Sequence, residues 1–195
     1  LTAMLAAPGD YTATLHAFEQ GKSIRLAGPV DIKVERLGEP ALQGKPMEEV
    51  VAFWRKYEQL TRDVNTLSAQ LSNARKASSN LFRAASSAAV GSEVLERIAA
   101  LQAELDALDT QLNGNPAKNE IGEKGKPTIG SRLFALNRGI STSTYGPTPT
   151  HLETVGIITA EWQSMNNKLA QLKGEAKEIG ALIVKSGGPW VEGLD

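Results

Sequence analysis

A hydrophobic stripe with alternating steps of three and four residues runs along one continuous stretch of this chain, from Val50 to Ala85. Residues three and four apart share one face of an α-helix, so the pattern predicts a single long helix with one apolar side. About 40 helical residues make a rod roughly 60 Å long, and such a rod has to lay its stripe on other helices. The stripe consists of Val50, Phe53, Tyr57, Leu60, Val64, Leu67, Leu71, Ala74, Ser78, Leu81 and Ala85.

Capping and stop signals divide the rest of the chain into further helices. A second helix begins at Ser92, a short third follows Thr128, and a last long one begins at Pro149 and ends at residues 187–189. The sequence therefore predicts a mainly α protein, a long antiparallel bundle of three to four helices preceded by a few β-strands. The stripe predicted for the second helix is Val94, Ile98, Leu101, Leu105, Leu108 and Leu112. The stripe predicted for the last helix is Leu152, Val155, Ile158, Trp162, Met165, Leu169, Leu172, Ala176, Ile179 and Ile183.

The predicted lengths also indicate how the helices are arranged. The second helix returns over about half of the first, the short third fills part of the remainder, and the last runs the full distance back. The end of the chain is then expected beside the start of the long helix. There Trp190 would anchor the tail close to Trp54 and Tyr57.

The first part of the chain has the alternating pattern of β-strands. Turn signals at residues 8–10, 20–22 and 28–29 separate three short runs of strand-forming residues. So small a sheet needs another layer, which either the helical part of the chain or upstream strands of a longer parent protein could supply. We favour the upstream strands. In the isolated chain this segment is expected to be mobile or to pair with another copy. The predicted organisation is a β segment at 1–38 (the remnant of a β-sandwich), a linker at 39–45 and the bundle at 46–195.

Composition excludes several classes of function. The formal net charge is −1, and no basic arm carries interleaved aromatic residues, which argues against nucleic-acid binding. The absence of cysteine removes disulfides and thiol catalysis. No stretch approaches 18 apolar residues, so no membrane span is predicted.

The sequence predicts no catalytic residue, no cofactor site and no metal site. His16 and His151, the two histidines, stand in surface contexts and belong to no metal-binding or catalytic motif. Residues 122–126 end in Gly-Lys but lack the spacing of a P-loop and follow no strand, which argues against a phosphate-binding loop.

One cluster, in residues 131–139, offers a weak candidate contact for a protein partner. Its polar members are Arg132, Asn137 and Arg138, on a short helix between two polar loops. The more ordinary interpretation is a packing helix whose arginines fix those loops to the bundle.

Taken together, these segments resemble the C-terminal region of large bacterial sortilin-like β-propeller proteins with BNR repeats, often labelled glycosyl hydrolases. The resemblance rests on residues 7–15, on Arg132 in an Ile-x-x-Arg-Leu context, on residues 147–150 and on residues 188–190. It implies an exported parent protein with a propeller upstream, which would be the partner of this segment within the same polypeptide. Any hydrolase activity of the family would reside in that propeller, because no catalytic residue of a propeller maps onto this sequence.

The sequence therefore favours a non-catalytic accessory domain with a structural or interaction role. One alternative is part of a glycan-binding or glycoside-hydrolase-like protein in which the loop at 115–150 contributes to a substrate site. A free-standing coiled-coil adaptor is a further alternative, favoured by the heptads but not by the β-strands or by the polar third segment.

Overall fold

A computed structural model describes residues 6–38, 42–88, 90–123, 125–141 and 143–194. Two β-strands come first, β1 (Gly9–Glu19) and β2 (Lys22–Val34). Five helices follow: α1 (Met47–Ser87), α2 (Ser92–Asn113), α3 (Pro116–Glu120), α4 (Ile129–Ile140) and α5 (Pro149–Lys185). The predicted mainly α fold with preceding strands is confirmed. Part of the predicted linker, residues 39–41, lies outside the described residues.

The chain divides into two compact units. The first comprises the described residues up to Arg55 together with Arg138–Thr148, and the second comprises Lys56–Asn137 and Pro149 onwards. In the first unit, the backbone N–H of Lys45 donates a 2.8 Å hydrogen bond to the Tyr145 carbonyl. Gly44 packs against the Tyr145 backbone so closely that a Cβ there would lie 2.7 Å from the same carbonyl oxygen. This contact joins the segment before α1 to the segment before α5.

The strands form an antiparallel hairpin, and in the described residues there are two of them where the sequence indicated three. The predicted break at Gly28-Pro29 is a shift of register inside β2. Between the pairs Ala13–Val30 and Leu15–Ala27, β2 has one residue more than β1. Gly28 has a φ of +89°, and a Cβ there would lie 2.5 Å from the Ala13 carbonyl oxygen. Only glycine fits this approach, so a residue that looked like a turn signal serves as a bulge.

The second unit is held together by the predicted helical stripes. From Tyr57 to Ala85, every stripe position of α1 is buried except Ala74, which is half-buried. In α2 the predicted stripe is buried from Ile98 to Leu112, and its first member, Val94, is half-buried. In α5 the stripe from Val155 to Ile183 is buried apart from the half-buried Trp162. Leu152 is the exception, because 55% of its surface is exposed.

Contacts between the helices define their directions. Arg75 of α1 pairs with Asp106 and Asp109 of α2, at 2.8 and 2.9 Å, so a late part of α1 faces a late part of α2. Further along α1, the Ser78 carbonyl accepts a hydrogen bond from Gln102, which is earlier in α2. The residue numbers fall in α2 as they rise in α1. The two helices are therefore antiparallel.

Two ion pairs likewise place α5 antiparallel to α2. Arg97 pairs with Glu178 at 3.2 Å, whereas Lys168 pairs with Glu104 at 3.0 Å. Since α1 and α5 both run opposite to α2, they run parallel to each other.

The short helix α4 continues the direction of α2. Its Leu133 carbonyl accepts a 3.5 Å hydrogen bond from Tyr57 of α1, and its Arg132 lies 3.9 Å from Glu161 of α5. At the junction, a Cβ on Gly130 would lie 3.9 Å from the Leu112 carbonyl oxygen. We call α2 and α4 together the middle rod, which is interrupted at residues 114–128.

The direction predicted for the last helix is therefore wrong. The middle rod already runs back along α1, since its 22 and 12 residues span about 50 Å at about 1.5 Å each. The tail then lies beside the second half of α1, not its start. A Cβ on Gly180 would lie 2.5 Å from Leu194 and 3.7 Å from Leu81. Val191 is buried and Trp190 is 69% exposed, so the predicted anchoring by Trp190 is also wrong.

Two leucines of α5 test this packing with the same chemical change. Leu169→Ala removes a side chain that is 1% exposed and should lower the free energy of unfolding by about 2–5 kcal/mol. Leu152→Ala, at the exposed position, should lower it by less than about 1 kcal/mol. Urea denaturation followed by circular dichroism measures both. Equal losses for the two variants would contradict the packing of α5.

Candidate functional site

The hairpin has one apolar face, which is the first candidate surface. The register places Tyr11 opposite Ile32, and Ala13 opposite Val30, on the same side of the ribbon. The other side carries polar pairs, among them Asp10 opposite Lys33. Because side chains alternate between the two sides of a strand, the apolar face continues along β1 through Leu15 and Ala17. The predicted alternation of apolar and polar residues in this segment agrees with the register.

This apolar face is exposed. Leu15, Ile24, Val30 and Ile32 have between 46 and 61% of their surface accessible. An antiparallel sheet normally packs its apolar face on a core and turns its polar face to water. A contiguous exposed apolar face is typical of surfaces that bind another molecule, which makes this face a candidate site.

The interruption of the middle rod forms the second candidate site, a cleft of about 1050 Å³ in the second unit. It is lined by the end of α2, by the connecting segment and by the first turn of α4. Thr128 caps α4, since its Oγ1 accepts a 3.1 Å hydrogen bond from the backbone N–H of Ser131. The segment that connects α2 to α4, which includes α3, therefore borders a concave surface.

Four charged side chains line this cleft. Three are basic, Lys118, Lys126 and Arg132, and one is acidic, Glu161. Lys118 forms a 2.6 Å ion pair with Glu123. The Arg132 Nε atom is buried without a hydrogen-bond partner, and the nearest carboxylate oxygen, on Glu161, is 3.9 Å away. Such a distance is too long for a hydrogen bond, so this donor is unsatisfied in the structure.

The structure separates the three residues of the predicted partner contact. Arg132 lines the cleft, and Asn137 is half-buried in the same unit. At about 100° per residue, Asn137 lies about 140° around the helix from Arg132, on another side. Arg138 is exposed and belongs to the first unit. The partner contact itself stays a prediction.

Three residues of the cleft were missed by sequence reasoning. Lys118 and Lys126 lie in the connecting segment, whose composition indicated only a polar loop. Glu161 lies about 30 positions after Arg132 in the sequence. Their proximity depends on the packing of α4 between α1 and α5. The abundance of lysine between α2 and α4 was the one feature of the sequence that could have indicated a basic site.

Tyr57 is the one described side chain whose pKa departs clearly from its ordinary value. It is 5% exposed, and burial raises the pKa of its phenol above 10.0, partly opposed by a hydrogen bond with Thr61. Its hydroxyl donates to the Leu133 carbonyl, which links α1 to α4. Tyr57 lies on the core stripe of α1, so this shift reflects packing.

Neither a metal centre nor a membrane span is found in the described part of the chain. Its His, Cys, Asp and Glu side chains form no group of three or more that could hold a metal ion. None of its helices combines the length and the apolar character needed to cross a membrane.

Comparison of the chain with models of protein families, with curated proteins and with solved structures gives no match. The resemblance to sortilin-like propeller proteins therefore stays a prediction, and function has to be argued from the two surfaces.

The raised pKa of Tyr57 predicts a loss of stability in alkali. The folded protein keeps the phenol proton at pH values where the unfolded chain has lost it. The contribution of the Tyr57 phenol to stability is therefore complete below about pH 10, the pKa of the unfolded chain. It is lost as the pH rises through the higher pKa of the folded state. Thermal unfolding across this range should show a smaller alkaline decline for Tyr57→Phe than for the unmodified chain. Identical declines would contradict a buried, protonated phenol.

Proposed function

We propose that this chain is a non-catalytic accessory domain of a larger exported β-propeller protein. In this proposal the hairpin packs its apolar face on β-structure of the same polypeptide, and the helical rods form a rigid extension. The observation that carries the proposal is the open apolar face of the hairpin. A two-stranded ribbon is marginally stable in water, and a covering layer both stabilises it and removes its apolar side chains from solvent.

The chemistry of the two faces favours another β-sheet, rather than a small ligand, as the layer that covers the hairpin. The exposed apolar residues are aliphatic or aromatic side chains along a pleated surface, as in the inner layer of a β-sandwich. The opposite face carries Asp10, Thr12, Asp31 and Lys33, which suit contact with water. Such a ribbon fits as the outer part of a two-layer β-structure. The proposed propeller and the export of the parent rest on the resemblance alone.

A second candidate is the glycan-binding role, in which the loop at 115–150 contributes to a substrate site. The cleft favours it in part, because residues 115–118 and 125–132 border a concave surface. Sugar rings, however, commonly stack on aromatic side chains. The residues that line the cleft, among those the structure describes, include no aromatic one. The accessory-domain proposal is therefore better supported.

The hairpin part of the proposal is tested with one substitution on each face. In this isolated chain, Ile32→Lys should change the free energy of unfolding by less than about 1 kcal/mol, because the side chain is already half exposed. In the parent polypeptide the same change should be strongly destabilising, by about 2 kcal/mol or more, since it buries a charge. Thr12→Lys, on the polar face, is the matched control and should be mild in both.

The parent itself is tested by the mass of the native polypeptide. An antibody against this segment, used on fractionated source cells, should detect a band far above 20.8 kDa in an exported fraction. A cytoplasmic band near the mass of this chain would overturn the proposal and favour the adaptor alternative. An Ile32→Lys variant of the parent that is as stable as the control would overturn the hairpin packing alone.

A further inference from the structure

The charge of the cleft differs from that of the chain as a whole. The protein has a formal net charge of −1, whereas the cleft brings together Lys118, Lys126 and Arg132 with Glu161 as the single acidic lining residue. Glu123 neutralises Lys118 through their 2.6 Å pair. Lys126 is exposed and takes part in none of the ion pairs found among the described residues. The positive charge available to a ligand therefore resides mainly on Lys126 and Arg132.

Arg132 supplies an independent observation. Its Nε–H is buried without an acceptor, although a buried donor on a charged group nearly always has one. Glu161 approaches to 3.9 Å, which gives an electrostatic attraction but no hydrogen bond. The side chain as a whole is 26% exposed and lines the cleft. The buried Nε itself is closed to a ligand, so an anion would bind the other nitrogens of the guanidinium, for which a charged oxygen is the strongest acceptor.

The helix ends at the cleft do not decide the sign of the ligand. The start of α4 lies there with its positive dipole end, and the end of α2 lies there with its negative one. These two contributions oppose each other. The side chains, which are mostly basic, therefore determine what the cleft attracts.

The remaining lining defines the size and polarity of the ligand. The volume of about 1050 Å³ is slightly above the range of about 300–1,000 Å³ that is usual for small-molecule sites. Hydroxyl and amide side chains, such as Thr110, Gln111 and Asn115, outnumber large apolar ones. A lipid tail or a flat aromatic ring would find few apolar partners. A compact, strongly hydrated anion would find hydrogen-bond donors on several sides.

We propose that this cleft, at the interruption of the middle rod, binds a small anionic molecule that carries phosphate or carboxylate groups. Arg132 and Lys126 hold the anion, whereas Glu161, the acidic lining residue, opposes it by its charge. Binding by these side chains requires no P-loop spacing, so it is compatible with the absence of that motif in residues 122–126.

Nuclear magnetic resonance titration of the full chain tests the proposal. Inorganic phosphate and citrate are added separately at constant ionic strength, and neutral maltose serves as the third probe. Saturable amide shifts confined to residues 113–118 and 125–132 are expected for at least one anion. Tighter binding of phosphate would indicate a phosphate-bearing ligand, and tighter binding of citrate a carboxylate. Shifts that do not saturate, or equal shifts with maltose, would overturn the proposal.

Three substitutions in the full chain give the charge dependence. Lys126→Gln, at an exposed position where loss of folding is not expected, should weaken binding about tenfold, as the loss of one charge-assisted hydrogen bond predicts. Glu161→Gln should tighten binding, because it removes the one acidic lining group. Lys76→Gln, on the exposed face of α1 and outside the cleft, is the control and should leave affinity unchanged. Weakening by Glu161→Gln, or equal effects of Lys126→Gln and Lys76→Gln, would overturn the assignment.

Discussion

The packing of apolar stripes along three rods of nearly equal length is the constraint on which the helical part of this protein depends. With 22 residues, α2 covers only about half of the 41-residue α1, so α4 has to cover the rest. Two consequences follow from this division. The interruption between α2 and α4 opens a cleft, and the direction of α5 is fixed, because the chain has already returned along α1 when α5 begins.

Much of this fold could be predicted from the sequence, since helical periodicity is a local property. The stripes of α1, α2 and α5 are buried nearly as predicted. What could not be predicted depends on contacts between distant segments. Leu152 fits the periodic pattern but is exposed, and Trp190 is the largest apolar residue of the tail, yet Val191 is the one that is buried. Gly28 resembles a turn residue, but its role as a bulge appears only from its closeness to Ala13.

The two candidate surfaces have opposite chemistry and belong to different units of the chain. The hairpin offers an apolar sheet face, which suits another protein layer, whereas the cleft offers basic and polar side chains, which suit a small anion. The alternation that defines the hairpin face was visible in the sequence, because strand periodicity is as local as helical periodicity. The cleft was not, since Glu161 and Arg132 meet only through the packing of α4 against α5.

A distance measurement between spin labels tests the order and direction of the rods most directly. The chain contains no cysteine, so Ser87→Cys with Lys185→Cys places labels at the ends of α1 and α5 without further changes. Parallel rods in contact predict a separation below about 25 Å, since packed helix axes lie about 10 Å apart and the labels add their own length. A second pair, Gln59→Cys with Lys185→Cys, should be separated by more than about 35 Å. A short distance for the second pair and a long one for the first would show that α5 runs antiparallel to α1, contradicting the account.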